Sequence, residues 1–486
     1  MKISRIIALI GGICAGVLAA YSLYLSTGNL VVAKTAGVAV CMAVWWITEP
    51  ISLYVTAFIP VFMFPLLGIM SADEVAPLYT NQIIFLFIGG FLIAFALEKW
   101  NLHQRIAFKI ILSIGSTPSR ILLGFMLASY LLSMWILNTA TTLMLLPAVM
   151  AVSTQFEQQA GKNSGHSMTT PLLLGLAYAA SIGGTATVIG TAPNGAFMGY
   201  FNDHFKAPRI GFANWMMFGL PLSMLLFAGC YFLLKKMFLS GWQEQITLNS
   251  SADYYIKLGK MKWQEMLLLI LFIITILLWF FRTDIELGNI VVPGWSRLFP
   301  EKDWIKDSTV AMVMACLMFM IPTGRNNNML NWEQAKKLPF GVLFLFGGGF
   351  ALAKGVEVSG LGNWMADQLK GLSSLHPLVI IFCLSLFMTF FTEMTSNTAS
   401  TLLMLPVIHS MSKNVDLPPV ILMLPVVVSA SCAFMLPVAT PPNTIVFGSE
   451  KLKIHSMIRA GLVLNIMAVF VISCFVWILG GFVFAQ

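Results

Sequence analysis

Of 486 residues, 58% are hydrophobic and only 10% charged, with a mean hydropathy of +0.85. That excludes a soluble globular domain, in which about a quarter of residues carry charge. The net charge of +8 fits basic loops gathered on one side of a bilayer, so no nucleic-acid partner is needed to explain it. The composition is that of an all-α polytopic membrane protein whose main partner is the lipid bilayer. Cys14, Cys41, Cys230, Cys316, Cys383, Cys432 and Cys474 all lie in apolar runs without metal-type spacing. They read as small core residues, not as disulfides or ligands.

In chain order, MKISRIIALIGGICAGVLAA combines a basic start, an apolar middle and small residues. A signal peptide has this pattern, and so does a first transmembrane helix with its basic end in the cytoplasm. With so many spans following, the uncleaved helix is the better reading. Segments of about 17–25 residues, enough to cross a bilayer core, fall near 6–25, 32–48, 51–70, 81–99, 170–200, 214–238, 262–281, 307–323, 339–356, 418–447 and 458–484. That makes eleven spans. Two further apolar segments, 118–154 and 375–411, each carry an Asn-Thr pair and a following proline near the middle. A continuous span should not be polar there. Each reads as a re-entrant hairpin that turns at the Asn-Thr tip, since broken backbone is tolerated only where it lines a cavity or is buried in protein.

Charge placement agrees. With the N-terminus inside, 18 Lys and Arg residues fall on the cytoplasmic side and 10 outside. Counting either hairpin as a full crossing would invert everything after it and spoil that bias. The C-terminus is then external.

The chain is also doubled. ILNTATTLMLLP at 136–147 recurs as MTSNTASTLLMLP at 394–406, and FLFIGGF at 85–91 recurs as FLFGGGF at 344–350, both offset by 259 residues. Spans two to six correspond to seven to eleven. Because five crossings is an odd number, the second copy is inverted. The Gly pairs read as packing points. The stretches 102–110 and 358–369 read as interfacial helices preceding each hairpin.

Each half has a second interruption. GTATVIGTAPNGAF at 184–197 breaks the fifth span and PVATPPNTIVF at 437–447 breaks the tenth. Gly190, Thr191, Pro193 and Asn194 match Ala439, Thr440, Pro442 and Asn443, now offset by 249 residues. Proline removes a donor and clashes with the preceding turn, so both stretches should be unwound, with free carbonyls and N–H groups. One Asn-Thr pair alone could be a helix–helix hydrogen bond. Four matched interruptions in inverted copies point instead to a binding site between the halves. Carbonyls with Asn and Thr oxygens suit a small hard cation, and helix N-termini suit an anion. The first tip and both unwound loops contain no Asp, Glu, Lys, Arg or His, and the second hairpin adds only Glu393 and, beyond its motif, His409. Bound cations and helix dipoles would have to neutralise a carboxylate substrate. Glu393 could ligate a cation or carry a proton, although structural hydrogen bonds are its commoner role.

These hairpins and Thr-x-Pro-Asn loops, inverted over essentially the whole chain, resemble the divalent anion/sodium symporter family of dicarboxylate and citrate transporters. The resemblance implies an elevator-type fold in which residues 111–254 and 371–486 form a transport domain. Residues 1–110 and 255–370 would form a scaffold that makes a homodimer. It implies two or more coupled Na⁺ ions, one at Ser133, Asn138 and the backbone of Gly190, another at Thr392, Asn397 and the backbone of Ala439. Substrate carboxylates would meet Asn138, Thr139, Thr191, Ser396, Asn397, Thr398 and Thr440. One departure stands out: Leu137 replaces the serine usual before the first Asn-Thr, leaving a backbone carbonyl and no hydroxyl.

The resulting expectation is sodium-coupled symport of C4-dicarboxylates such as succinate, malate or fumarate, in a bacterial inner membrane. An exchanger, or a sulfate or tricarboxylate carrier of the same fold, is the alternative. An intramembrane enzyme is disfavoured, because the chain has no His-Glu-x-x-His, no G-x-S-x-G and no paired aspartates at the motifs. Closed inverted hairpins also suit alternating access better than an open channel.

Overall fold

The structure, a computed structural model, describes residues 2–160, 168–205, 209–240, 255–287, 290–324, 327–371, 375–415 and 417–481. Of the basic residues counted above, Lys162, Lys206 and Arg325 lie outside them, as does the end of the last expected span, 482–484. All eleven expected spans are helical within the described residues. Among the described residues eight helices are long and apolar enough to cross a bilayer, seven in expected spans and one, Asn138–Phe156, in the first hairpin. Leu53–Leu67, Asp307–Met320 and Pro419–Ala430 are shorter apolar helices in three further spans.

The first half begins with α1 (Lys2–Thr27) and α2 (Leu30–Thr48), which pack along each other. The Asn29 carboxamide starts α2 by accepting from Val31 N and Val32 N. The third span breaks into Leu53–Thr56 and α3 (Ile59–Leu67), with a proline in the first turn of α3 and Gly68 closing it at φ 68°. There follow α4 (Gln82–Lys99), the interfacial α5 (Leu102–Ile114) and the hairpin α6 (Pro118–Ser133) and α7 (Asn138–Ala160). The broken span is α8 (Thr169–Gly184) and α9 (Ala192–His204), and α10 (Phe212–Phe238) completes the half.

The second half repeats the series. It comprises α11 (Trp263–Phe280), α12 (Asp307–Met320), α13 (Phe340–Ser359), the interfacial α14 (Leu361–Gln368), the hairpin α15 (Pro377–Thr392) and α16 (Asn397–Ser412), the broken span α17 (Pro419–Ala430) and α18 (Pro441–Phe447), and α19 (Ile454–Phe475). Two short antiparallel ribbons, Ile285–Leu287 with Ile290–Val292 and Pro322–Gly324 with Asn327–Asn328, depart from the all-helical expectation among the described residues.

The halves exchange partners. The Gly-rich α4 packs on α12, and a side chain at Gly89 would meet Ala311 at 2.6 Å. Reciprocally, α13 packs on the third span, where a Cβ at Gly348 would lie 2.3 Å from Ala57 O. These glycines are packing points, as expected, because nothing larger fits between the backbones. The broken spans also cross over: α8 touches α18, α9 touches α17, α7 touches α18 and α16 touches α9.

Each unwound loop is anchored behind its hairpin. In the first half the Thr187 hydroxyl donates to Met134 O (2.5 Å) and accepts from Gly190 N (3.1 Å). In the second half Glu393, the positional counterpart of Met134, accepts from Met435 N (2.8 Å), Leu436 N (2.9 Å) and the Asn465 amide (2.7 Å). Glu393 is thus a structural acceptor. His409, at the last turn of α16, faces the Tyr200 hydroxyl at 2.9 Å, while Ser410 donates to its own helix at Pro406 O.

One expectation fails. Cys230 and Cys432 are buried, but Cys14, Cys316, Cys383 and Cys474 are exposed and so are not core residues. An apolar run in a membrane protein has an apolar outer face, so hydropathy does not separate inside from outside. All seven cysteines carry free thiols.

Two buried ion pairs tie segments far apart in sequence. Arg105 on α5 meets Glu265 on α11 at 2.6 Å and donates to Gly259 O and Leu258 O. Arg282 meets Asp307 at 2.6 Å, and the other Asp307 oxygen accepts from Phe212 N, joining the ends of α11, α12 and α10. Removing one partner of a buried pair costs about 3–5 kcal/mol. Arg105→Ala should therefore lower the unfolding temperature in detergent, whereas Lys336→Ala, which breaks an exposed pair with Glu333, should not. Glu393→Ala orphans three donors at about 1–3 kcal/mol each. Its unfolding temperature should fall well below that of Glu393→Gln, which keeps one acceptor oxygen.

Candidate functional site

The Asn-Thr tips form because α6 and α15 end just where an Asn opens the returning helix. Thr141 N bonds back to Leu137 O at one tip, and Ser400 N bonds back to Ser396 O at the other. The N–H groups of each first turn therefore lack helical partners. The unwound loops end likewise: Thr191 precedes α9, and Thr440 precedes α18 with prolines in its first turn.

All four helix starts face one cavity of about 570 Å³. It brings together Asn138, Thr139, Thr191, Ser396, Asn397, Thr398 and Thr440, the whole substrate set that the family resemblance implies. Gly190 and Ala439 line it as well. Ser133 and Thr392 lie one layer behind, fully buried, and reach the cavity through hydrogen bonds to Asn138 Oδ1 and Asn397 Oδ1. Leu137 also reaches the cavity wall. The opposite wall is Ile47, Glu49, Leu53 and Tyr54, from the α2–α3 connection. Since α1 and α2 form an antiparallel pair, that wall lies on the same face of the molecule as the N-terminus.

Glu49 is the only charged residue in the lining. Each helix N-terminus carries about half a positive charge, so four of them make the cavity attractive to an anion without any lysine or arginine. The two threonine caps differ. Thr440 Oγ1 accepts from Asn443 N, whereas the Thr191 side chain makes no capping bond.

Oxygens also gather where cations were expected. A Cβ at Gly184 would lie 2.8 Å from Asn138 Oδ1 and 3.0 Å from Gly190 O. Glycine thus leaves a small space bordered by two acceptors. In the other half, Thr392 Oγ1 lies 2.6 Å from Asn397 Oδ1 and 3.1 Å from Ala430 O. One hydroxyl proton is shared among three oxygens, so lone pairs remain to face a hard ion. Among the described residues no cluster of three or more His, Cys, Asp or Glu could hold a metal, and both oxygen sets consist of neutral groups.

The loops behind these sites are held by two asparagines. Asn194 Nδ2 donates to Thr187 O (2.7 Å), with Gly184 O and Thr185 O at longer range, and Asn443 Nδ2 donates to Ala433 O and Leu436 O. The oxygen of each carboxamide is buried without a donor. Sequence reasoning missed Ser181 and Ser431, which line the cavity with buried hydroxyls that have no protein partner. The signal was a serine shortly before each unwound loop. It also missed Glu49, which holds a left-handed backbone (φ 45°) at the end of α2 immediately before Pro50.

The sodium:sulfate symporter transmembrane region matches residues 27–484. The chain is 38% identical over 449 residues to the sodium-dependent dicarboxylate transporter SdcS of Staphylococcus saprophyticus, covering 90% of this chain and 84% of that protein. SdcS of Staphylococcus aureus is 38% identical over 455 residues, with the same coverage. Among solved structures, Neisseria gonorrhoeae MtrF matches with a TM-score of 0.56 at 13% identity, covering 86% of this chain and 83% of that one. The Alcanivorax borkumensis YdaH transporter matches with a TM-score of 0.56 at 15% identity, covering 86% and 88%. These two share the fold of a helical membrane transporter. With a match along nearly its whole length, the chain belongs to the sodium:sulfate symporter family of membrane transporters and not to an enzyme family.

Proposed function

We propose that the protein is a secondary transporter that couples Na⁺ to the uptake of C4-dicarboxylates. The observation that carries this reading is the convergence of four helix N-termini on one cavity without cationic side chains, backed by two oxygen clusters. A dicarboxylate's two negative charges would be met by the helix ends and by cations seated behind both tips. One cation takes Ser133, Asn138 and the carbonyl of Gly190. The other takes Thr392, Asn397 and the backbone at Ala439, with Ala430 O close by.

Because Asn138 and Asn397 face both the cation sites and the cavity, ion binding fixes their carboxamides and presents their N–H groups to the substrate. Substrate oxygens then contact Thr139, Ser396, Thr398 and the free hydroxyl of Thr191, with Thr440 completing the site. The orphaned Ser181 and Ser431 hydroxyls supply further donors. The names of the SdcS relatives, sodium-dependent dicarboxylate transporters, support the same substrate and ion.

Residues 111–254 and 371–486 would move as a transport domain against a scaffold of 1–110 and 255–370, in a homodimer of the bacterial inner membrane. The crossed packing of α8 with α18 and α9 with α17 supports a single moving body. With the N-terminus cytoplasmic and the C-terminus external, the wall of Glu49 and Tyr54 lies toward the cytoplasm.

Purified protein in sodium-loaded and sodium-free proteoliposomes tests this reading. Uptake of labelled succinate should require an inward sodium gradient and no internal counter-substrate. Asn138→Ala and Asn397→Ala should each abolish it while the protein stays folded, and unchanged transport in both would refute the site. An absolute requirement for preloaded anion would favour exchange. Leu137→Ser adds a hydroxyl beside the first ion and should lower the sodium concentration for half-maximal uptake. An unmoved sodium curve would mean that the carbonyl alone serves there.

A further inference from the structure

On the face opposite the N-terminus, a cleft of about 350 Å³ opens between α4, the end of α9, the start of α10 and the loop from α11 to α12. It is separate from the central cavity and shares no lining residue with it. Arg209, Arg282, Lys302 and Lys306 line it, together with Asp284, Asp303 and Asp307. Two of the carboxylates are already committed. Asp307 holds Arg282 and Phe212 N, while Asp284 holds Arg297 and Gly294 N.

What remains in the lining is Arg209, Lys302 and Lys306 against Asp303. No ion pair is made by these four among the described residues, so the lining carries a surplus of two positive charges, with Asp203 outside it also in the field of Arg209. Two more donors face the same space. Arg282 uses Nε and Nη1 on Asp307 and Ile305 O, leaving Nη2 without an acceptor beside Gly211. Asn214 accepts from Gly211 N through its oxygen, which leaves its amide free. Lys306 sits in an unfavourable field. Burial pushes its pKa down, Arg209 and Arg282 push it further, and Asp303 and Asp307 only partly oppose them. An anion would relieve that field.

We propose that this cleft is a second anion site, taking one soluble dicarboxylate or tricarboxylate between Arg209 on the α9–α10 side and Lys302 and Lys306 on the α11–α12 loop. The surplus of two charges matches a dianion. Arg282 Nη2 and the Asn214 amide supply directed hydrogen bonds to its oxygens. Neither sodium nor the Asn-Thr tips take part, so the site stands or falls independently of the central one. Its ligand bridges the segment that follows the first unwound span and a loop outside both hairpins, so occupancy ties these two parts of the molecule together.

The test uses the full chain carrying Asn138→Ala and Asn397→Ala, in neutral detergent without sodium. Citrate and succinate are the probes, and chloride at matched ionic strength is the control. The expected result is a citrate-dependent rise in unfolding temperature above the chloride control, at least tenfold weaker in dose when R209Q and K306Q are added. R209K with K306R should retain it. No rise beyond chloride, or an equal rise after R209Q and K306Q, would overturn the proposal. The same oxygen chemistry is present in phospholipid headgroups, so a parallel arm titrates short-chain phosphatidylglycerol. Stabilisation by that lipid, with none by citrate, would overturn the soluble ligand. Sodium-dependent stabilisation of the unmutated chain by succinate is read separately and reports only on the central site.

Discussion

Everything in this structure depends on how an apolar chain accommodates broken backbone. A carbonyl or N–H left unpaired away from water costs several kcal/mol, so an interruption at membrane depth survives only if something replaces the helical bonds. Here Asn194 and Asn443 do so, each sitting just inside the helix that restarts the chain and turning its amide back on the loop carbonyls. The helix starts stay open toward the cavity because their first-turn N–H groups have no helical carbonyl upstream to accept from them. The same breaks that would destabilise a span create a strongly polar surface between the two halves.

The two halves solve this problem with different chemistry. Behind the first tip a threonine hydroxyl binds a main-chain carbonyl at Met134, and behind the second a carboxylate at the matching position binds main-chain N–H groups. The tips differ too, Leu137 standing where the second copy has Ser396. Duplication supplied the geometry, and each copy then stabilised it independently. The cavity therefore repeats its helix starts from both halves but differs in side chains between them.

Much of this was legible in the sequence, because the informative residues break a local rule. Asn-Thr in an apolar run and Thr-x-Pro-Asn in a span both contradict an uninterrupted helix, and repetition at fixed offsets made the contradiction specific. Ser181 and Ser431 break no such rule, since serine is tolerated in any membrane helix, and only their burial without partners sets them apart. Arg105 and Glu265 are 160 residues apart, and no local pattern links them. The cysteines were misread for a related reason: in a bilayer the outside of a protein is as apolar as its core. Side-chain orientation about the helix axis, which periodicity reveals in soluble helices, is hidden here.

One of the shortest spans has a consequence for the surrounding lipid. The 14 residues of α12 cover about 21 Å, against a hydrocarbon core of about 30 Å. Val313, Leu317 and Met320 all point outward from it, and its start is pinned by the buried pair of Asp307 and Arg282. A helix of this length falls short of the core even when upright, and tilting would shorten its reach further. Lipid beside it must thin instead, at a cost of fractions of a kcal/mol per ångström of mismatch. The local mismatch along this edge is smallest in a bilayer of shorter acyl chains.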